Sequence, residues 1–193
     1  MDSSNAQKYS DSNPVVRVLM GRFFSRAREL VEPLAPQNVL DAGCGEGLAL
    51  QELRPLLPGS ITGFDMSETA VGHAQRTHPD GTFSVEDLYD LPYEDNAFDL
   101  VICMEVLEHL DDPGRGLREL KRVCSNHLLL SVPHEPFFQL GNFVRGKYPE
   151  TRGNHPEHVQ HWGKRSFRTF LEQELQGVQV VRSFPWLIAR GRV

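Results

Sequence analysis

The sequence predicts an α/β fold in which helices flank a mostly parallel sheet. Its clearest sign is residues 38–57, where an apolar strand passes through a glycine-rich turn into a leucine-rich segment with helical spacing. Residues 60–65 and 82–87 repeat the pattern of a short strand that ends in an acid. The chain has 193 residues, 39% of them apolar, which suffices for one sizeable core. We therefore expect a single domain over residues 1–193.

The glycine-rich turn predicts a ligand site. Gly43, Gly45 and Gly47 permit backbone conformations and close approaches that a Cβ would obstruct. The helix predicted over residues 46–57 offers unpaired N–H groups and a partial positive charge at its start. Such a turn suits a carboxylate, a phosphate or the polar part of a nucleotide-like cofactor. Taken alone, it is also compatible with a tight strand-to-helix connection that binds nothing.

Acids at three strand ends indicate which edge of the sheet binds the ligand. Asp41, Asp65 and Asp87 each follow or end an apolar strand. The carboxyl ends of parallel strands share one edge of the sheet, and open α/β folds bind their ligands there. Asp65 also lies about as far after the glycines as the acid that holds a ribose diol in nucleotide-binding folds. We therefore expect these three carboxylates at the binding edge.

The other elements follow in alternation. A helix begins at Asn13 and Pro14, which suit a helix cap and a first turn, and runs to about Leu34. A second group of patterns predicts helices over residues 67–78, 113–123 and 166–175, and strands over residues 98–104, 127–133, 178–183 and 186–189.

Three segments carry a resemblance to a known family. Residues 39–47 read VLDAGCGEG, residues 63–67 read GFDMS, and residues 98–110 read FDLVICMEVLEHL. They resemble the class I S-adenosylmethionine-dependent methyltransferases, in particular the small-molecule, methyltransferase type 11-like branch, over residues 38–133. The turn reads G-x-G-x-G, without the offset third glycine of the dinucleotide fingerprint. The resemblance implies a Rossmann-like three-layer sandwich whose mostly parallel, seven-stranded sheet has a reversed last strand.

The resemblance also implies S-adenosyl-L-methionine as the cofactor. Asp65 would hold the ribose hydroxyls, and residues 104–110 would form the wall against the methionine part. Tyr9 is a candidate lid residue, although its polar N-terminal segment is also compatible with a disordered tail. The complete set of expected cofactor-binding residues is Tyr9, Asp41, Gly43, Cys44, Gly45, Asp65, Met66, Asp87, Leu88, Met104, Glu105 and His109.

The region after the fifth strand departs from the alternating pattern. Residues 134–164 combine prolines, glycines and scattered aromatic residues without a sustained period, which indicates an insertion with its own short elements. The insertion separates an N-terminal tail and helix (1–37) and a cofactor-binding core (38–133) from a terminal helix and hairpin (165–193). A long excursion above the binding edge predicts a substrate site.

Basic residues and histidines concentrate in and after the insertion. Residues 145–168 contain six bases and two acids, in a chain of net charge -6, so a small anionic acceptor is expected, held by Arg152 and Arg165. Four histidines are candidates for a base or an acceptor contact: His134, His155, His158 and His161. The last three could instead share a metal ion, but the positive surroundings disfavour a cation, and we predict no metal.

Composition limits the partners and the location. Residues 80–112 contain eleven acids and no Lys or Arg, which suits a sulfonium cation and not a nucleic acid. No apolar run is long enough to span a membrane, and the first residues lack the features of a signal peptide. Cys44, Cys103 and Cys124 are an odd count that is typical of reduced thiols, so we expect a cytoplasmic protein. The sequence does not indicate an oligomeric state.

The predicted function is methyl transfer to a small, anionic metabolite by in-line displacement. A histidine base would be needed for hydroxyl, phenol or acidic carbon acceptors. The chain lacks the Asn/Asp-Pro-Pro-Tyr turn of adenine and amide methylation and the Pro-Cys pair of cytosine C5 enzymes. A non-catalytic S-adenosylmethionine-binding subunit remains an alternative. A nicotinamide-dependent reductase is less favoured, since no tyrosine has a lysine four positions on.

Overall fold

A computed structural model describes residues 14–135 and 159–193 of the chain. Its strands form one seven-stranded sheet in the order β3-β2-β1-β4-β5-β7-β6. β1 to β5 are mutually parallel, and β7 runs antiparallel to both β5 and β6. The strands are β1 (Asn38–Ala42), β2 (Ser60–Asp65), β3 (Thr82–Val85), β4 (Phe98–Met104), β5 (Cys124–Pro133), β6 (Gln176–Ser183) and β7 (Trp186–Arg192). The predicted reversed last strand is thereby confirmed.

Helices cover both faces of the sheet. They are α1 (Pro14–Val31), α2 (Leu48–Leu53), α3 (Glu68–Thr77), α4 (Pro113–Val123) and α5 (Lys164–Leu171). Leu100 and Ile102 of β4 pack with apolar residues of α1 and α2, whereas Val101 and Cys103 pack with those of α4 and α5. Because side chains alternate between the two faces of a strand, β4 lies between two apolar layers. The expected three-layer sandwich is confirmed.

Several element boundaries agree with the sequence, and others differ for local reasons. α4 and the strands β2 and β4 have the predicted limits. The helix predicted over residues 46–57 is shorter, because Gly47 is its left-handed N-cap and Pro55 lies in a 3-10 turn at Arg54–Leu56. β5 begins at Cys124, directly after α4, and not at residue 127.

The helix predicted over residues 166–175 also has other limits, since it spans Lys164–Leu171. Ser166 lies within the first turn of this helix, and Gly163 is its N-cap. The Ser166 hydroxyl accepts a hydrogen bond from the Gly163 N–H at 3.0 Å and donates to the Gly163 carbonyl at 3.1 Å, so the first turn begins before Ser166.

The C-terminal hairpin connects the end of the chain to the first helix. β7 pairs with β5 from Pro133 opposite Trp186 to His127 opposite Arg192. Arg190 of β7 donates a hydrogen bond to the Leu30 carbonyl in the last turn of α1, at 2.8 Å. No helix within residues 14–135 and 159–193 has the length and apolar character needed to cross a membrane.

The two described ends of the predicted insertion lie together. His134 forms a parallel bridge with Trp162, and the Glu135 N–H donates to the Trp162 carbonyl at 3.0 Å. The excursion that leaves β5 therefore returns to the point where it left, at the carboxyl end of the parallel strands. Residues 136–158 lie outside the described part of the chain.

Candidate active site

The glycine turn after β1 has one open position between two crowded ones. Gly43, Gly45 and Gly47 all have positive φ, at 72°, 52° and 84°. A Cβ at Gly43 would lie 2.5 Å from Val106 Cγ2, and one at Gly47 would lie 2.7 Å from the His78 ring. A Cβ at Gly45 would meet no protein atom within 4 Å. The outer two glycines are thus required by packing, whereas Gly45 leaves bare backbone beside open space.

Asp65 holds this turn in place. Its Oδ2 accepts a hydrogen bond from the Gly45 N–H at 2.9 Å, and its Oδ1 accepts one from the Ser67 N–H, also at 2.9 Å. Asp65 is half-buried, so its carboxylate still borders solvent. Each carboxylate oxygen has further acceptor capacity, so Asp65 can accept ligand hydroxyls while it fixes the turn.

Asp41 differs from the expectation that its carboxylate would line the open edge. Its side chain is 1% exposed, and its Oδ2 has no hydrogen-bond partner among the described residues. Burial and the nearby Asp65 carboxylate raise the pKa of Asp41 from 3.8 to about 7. An acid in this position favours a positive charge in the adjoining space, because a cation would stabilise its ionised form.

The three cysteines are buried thiols, and none forms a disulfide. Cys44 and Cys103 lie near this edge, whereas Cys124 begins β5 at the opposite edge. Burial raises the pKa of the Cys44 and Cys103 thiols, with a further rise from the Asp41 carboxylate at Cys44 and from the Glu108 and Asp41 carboxylates at Cys103. Cys44 contributes to the turn through its backbone, since its N–H donates to the Phe64 carbonyl at 2.8 Å and so connects the turn to β2.

The end of β4 is strained and held by β5. Glu105 has a φ of 58°, which is rare for a residue with a Cβ. The Glu105 N–H lies 3.2 Å from both the carbonyl and the hydroxyl oxygen of Ser131, and that hydroxyl donates to Glu105 Oε1 at 2.8 Å. These bonds keep an unfavourable backbone conformation at the predicted methionine wall, and strain of this kind is concentrated at functional sites.

The wall that follows Glu105 supports the returning end of the insertion. The carbonyl of Glu108 accepts hydrogen bonds from the N–H groups of Val159 and Gln160, at 2.8 and 3.0 Å. The Gln160 side chain also donates to the Leu110 carbonyl at 3.2 Å. Glu108 itself is buried, and its Oε1 lies 3.9 Å from Nε2 of the more exposed His109. The described end of the insertion therefore lies against the binding edge.

Three more of the predicted cofactor residues follow β2 and β3 at the same edge, and Met104 is the last residue of β4. Met66, next to Asp65, is 77% exposed, although it is large and apolar. Asp87 is exposed two residues beyond β3, and its Oδ1 accepts from the Tyr89 N–H at 2.9 Å. Leu88 is buried, 4% exposed. An exposed methionine and a carboxylate beside a buried leucine form a surface that an apolar ring with polar edges could cover.

Only part of the predicted catalytic and substrate set lies in the described ranges. His134 is buried, and its pKa is lowered by burial and then by the positive charges of Arg182 and Lys164. His161 is exposed, and Arg165 is exposed in the first turn of α5. Tyr9, Arg152, His155 and His158 lie outside the described residues. Within 14–135 and 159–193, no three His, Cys, Asp or Glu side chains form a group that could hold a metal ion.

Comparison with known proteins agrees with this architecture. Residues 40–129 match the family described as a methyltransferase domain. A probable S-adenosylmethionine-dependent methyltransferase of Mycobacterium tuberculosis is 32% identical over 154 residues, 71% of this chain and 56% of the relative. A ubiquinone biosynthesis O-methyltransferase of Coxiella burnetii is 36% identical over 150 residues, 68% of this chain and 63% of the relative. Over residues 40–129 the chain carries a methyltransferase domain that is similar to those of S-adenosylmethionine-dependent methyltransferases.

A solved structure extends the likeness across the whole sheet. The magnesium protoporphyrin IX methyltransferase of Synechocystis PCC 6803, determined with bound SAH, has a TM-score of 0.68 and 22% identity to this chain. The match covers 97% of this chain and 91% of the other. At that identity, the likeness concerns the fold of the methyltransferase. This chain spans less than two thirds of the length of the two curated relatives.

Three residues that the sequence analysis did not single out shape this candidate site. His78 packs against the glycine turn, Ser131 holds Glu105, and Arg182 lies near His134. Ser131 has a sequence signal, because it is a polar residue within the apolar run of residues 128–133 and so requires a partner. The other two act through contacts between distant segments, such as His78 and Gly47, which are 31 positions apart.

Proposed function

We propose that this chain binds S-adenosylmethionine at the edge formed by the glycine turn, Asp65 and residues 104–109, and transfers its methyl group to a small, anionic metabolite. The observation that carries the proposal is Gly45, whose bare backbone borders open space and whose N–H is held by Asp65 at 2.9 Å. Backbone without a Cβ beside an acid at the end of β2 fits a ribose-bearing cofactor.

The acids around this edge support a positively charged ligand. Asp41 has a buried oxygen without a hydrogen-bond partner among the described residues, and Asp65 and Asp87 add two carboxylates along the same edge. Residues 80–112 contain no Lys or Arg. This charge distribution favours an ammonium and a sulfonium group and disfavours a polyanionic ligand such as nucleic acid.

The residues of the chain would then position the acceptor and exclude water. Bound S-adenosylmethionine supplies a methyl group that its positive sulfur has already activated. Val159 and Gln160 donate hydrogen bonds to the Glu108 carbonyl, so this described end of the insertion would limit access to the edge from that side. His134, whose pKa is lowered, stays neutral at pH 7 and can take a proton from a hydroxyl acceptor.

The charges around His134 favour an anionic acceptor. Lys164 and Arg182 are close enough to lower the pKa of His134, and Arg165 is exposed beside Lys164. Arg and Lys in such positions hold carboxylates or phosphates by charge-assisted hydrogen bonds. The ubiquinone biosynthesis O-methyltransferase among the relatives supports a small-molecule acceptor.

A turnover assay tests the proposal. Purified protein is incubated with S-adenosylmethionine and a panel of metabolites that carry a carboxylate or a phosphate, together with neutral analogues of the same size, and the release of S-adenosylhomocysteine is measured. We expect turnover with anionic acceptors only. Turnover restricted to neutral acceptors would contradict the proposal that the acceptor is anionic. Cofactor binding without any turnover would favour a non-catalytic S-adenosylmethionine-binding subunit.

A further inference from the structure

His78 closes the glycine turn from the side of α3. We propose that His78 is a positioning residue for the cofactor, which fixes the Gly47 end of the turn by a hydrogen bond from its imidazole. This inference rests on the proposed function, because it assigns His78 a role in binding S-adenosylmethionine. His78 belongs to none of the glycine, acid or histidine motifs that the sequence analysis identified.

The geometry places the imidazole directly against the turn. His78 is 6% exposed, and its Nε2 lies 2.8 Å from the Gly47 carbonyl oxygen. The ring is so close that a Cβ at Gly47 would lie 2.7 Å from its Cδ2. The ring of Phe83, in β3, lies beside the imidazole at a tilt of 38°, with 6.3 Å between the ring centroids. The imidazole therefore has close neighbours in both the turn and β3.

Helix α3 thereby fixes the turn at two points. At its start, Ser67 donates its N–H to Asp65 Oδ1, and Asp65 Oδ2 accepts from Gly45. At its end, the His78 N–H donates to the Ala74 carbonyl at 2.8 Å, while the side chain reaches Gly47. One rigid helix thus connects the contacts at Gly45 and at Gly47. The bare backbone that would bind the cofactor lies at the first of these contacts, Gly45.

The hydrogen bond also determines the protonation of the imidazole. A carbonyl oxygen only accepts, so Nε2 must carry the proton, either in the neutral Nε2–H form or in the imidazolium. The same carbonyl accepts the Gln51 N–H at 2.9 Å, which begins α2. His78 is therefore bonded to the residue where the left-handed turn becomes a helix. Loss of the donor would free Gly47, whose φ is 84°, to leave this conformation.

Three variants separate positioning from general stability. His78→Leu removes the donor and keeps a buried apolar side chain, whereas His78→Gln keeps an N–H that reaches the same carbonyl. Val180→Ala, at a buried position of β6 on the opposite side of the sheet order, is the matched control for a core defect. For each, the dissociation constant of S-adenosylhomocysteine is measured by calorimetry and the unfolding midpoint by thermal denaturation.

We expect His78→Leu to weaken binding at least tenfold and His78→Gln to stay within threefold of the wild type. Val180→Ala should lower the unfolding midpoint without a change in affinity beyond threefold. Normal binding by His78→Leu, or equal loss in His78→Gln and His78→Leu, would overturn this inference alone. A wild-type protein that does not bind S-adenosylhomocysteine would overturn the proposed function as well.

A measurement on the wild type covers the case in which His78→Leu does not fold. Long-range proton–nitrogen NMR correlation reports which imidazole nitrogen of His78 is protonated at neutral pH. We expect a proton on Nε2 and a shift of its resonance when S-adenosylhomocysteine is added. A neutral ring protonated at Nδ1 alone would overturn the inference, since such a ring cannot donate to the Gly47 carbonyl.

Discussion

At the scale of single residues, Asp65 combines two roles that are usually considered separately. Its carboxylate fixes the turn through Gly45 and Ser67, and it is the acid expected to accept the ribose hydroxyls. Asp65→Ala removes both roles and should cost about 1.5–3 kcal/mol of affinity for S-adenosylhomocysteine, as expected for hydrogen bonds to a charged group. Calorimetric titration checks this value. Unchanged affinity would place the ribose elsewhere.

Gly45 allows a controlled test of the open space beside the turn. Gly45→Val should abolish cofactor binding, because the side chain would occupy the space in which no protein atom lies within 4 Å of its Cβ. Gly177→Val is the matched control, since Gly177 has a similar φ of 59° and equally open surroundings but lies in β6. Both variants carry a similar backbone strain of about 1–3 kcal/mol.

The two glycine variants are compared by unfolding midpoint and by affinity for S-adenosylhomocysteine. A similar loss of stability in both, with loss of binding in Gly45→Val only, is the expected result. If Gly45→Val binds as tightly as Gly177→Val, the turn has a structural role and no ligand contacts it there.

Asp41 predicts a pH dependence of stability. Its pKa is about 7 in the folded protein and 3.8 as the ordinary value, so the folded state retains a proton that the unfolded state loses. Stability from this group therefore falls as pH rises from about 4 to about 7 and is constant above that range. Asp41→Asn, which does not titrate, should lack this fall.

The free energy of unfolding of both proteins, measured by denaturant titration at pH 5 and pH 8, tests this prediction. The advantage of Asp41→Asn over the wild type should increase by about 3 kcal/mol between pH 5 and pH 8, because about two of the three pKa units of the shift lie within this interval. A constant difference between the two proteins at these pH values would show that the Asp41 carboxyl is not perturbed by burial and by Asp65.

At the scale of elements, the local sequence pattern predicted some helix and strand boundaries correctly and others wrongly. β4 and α4 were predicted correctly because an apolar run and an Asp-Pro start mark their limits. The predicted length of α2 was wrong, because leucine spacing continues through Pro55 although the backbone tightens there into a 3-10 turn. α5 begins at Lys164, earlier than predicted, because the Ser166 hydroxyl is hydrogen-bonded to Gly163. The presence of a serine at position 166 does not by itself predict this hydrogen bond.

The parts of the candidate site that lie within one short sequence motif were predictable. The glycine turn and Asp65 came from local motifs, and the structure brings them together at 2.9 Å. The partners that hold these segments were not predictable, because packing across the sheet selects them. His78 reaches Gly47 over 31 positions, and Ser131 reaches Glu105 over 26. Spacing within a motif contains no information on such pairs.

The insertion and α5 carry the prediction about the acceptor. Replacement of Arg152 and Arg165 by Gln, or of Lys164 and Arg182 by Gln, should raise the KM of an anionic acceptor. Both double variants remove positive charge from the expected acceptor side. Lys164 and Arg182 also lower the pKa of His134, so their replacement removes this effect. The affinity for S-adenosylhomocysteine should stay within about 0.5 kcal/mol, as expected for residues away from that site.

Arg168→Gln is the control for this experiment, since Arg168 lies on the same helix but faces Glu172 at 3.8 Å. It should leave the KM of the acceptor unchanged. An equal effect of Arg168→Gln, or a parallel loss of cofactor affinity in the double variants, would assign the acceptor to another part of the molecule.

At the scale of the whole molecule, charge and topology divide the binding edge. The acids at the ends of β1 to β3 lie on the side proposed for the cofactor, whereas Lys164, Arg165 and Arg182 lie beyond β5, on the side proposed for the acceptor. The order β3-β2-β1-β4-β5-β7-β6 places β4 between the two groups, with the strained Glu105 at its end. A cationic cofactor and an anionic acceptor would therefore meet at the end of β4.

Calorimetric titration of the wild-type protein with S-adenosylhomocysteine, with NADH as the control ligand, tests the central claim most directly. Both ligands carry an adenosine group, so the comparison tests the cofactor class and not adenosine binding alone. We predict saturable binding of S-adenosylhomocysteine at one site per chain and no binding of NADH at the same concentrations. Binding of NADH without binding of S-adenosylhomocysteine, or binding of neither ligand, would contradict the assignment of this edge to S-adenosylmethionine.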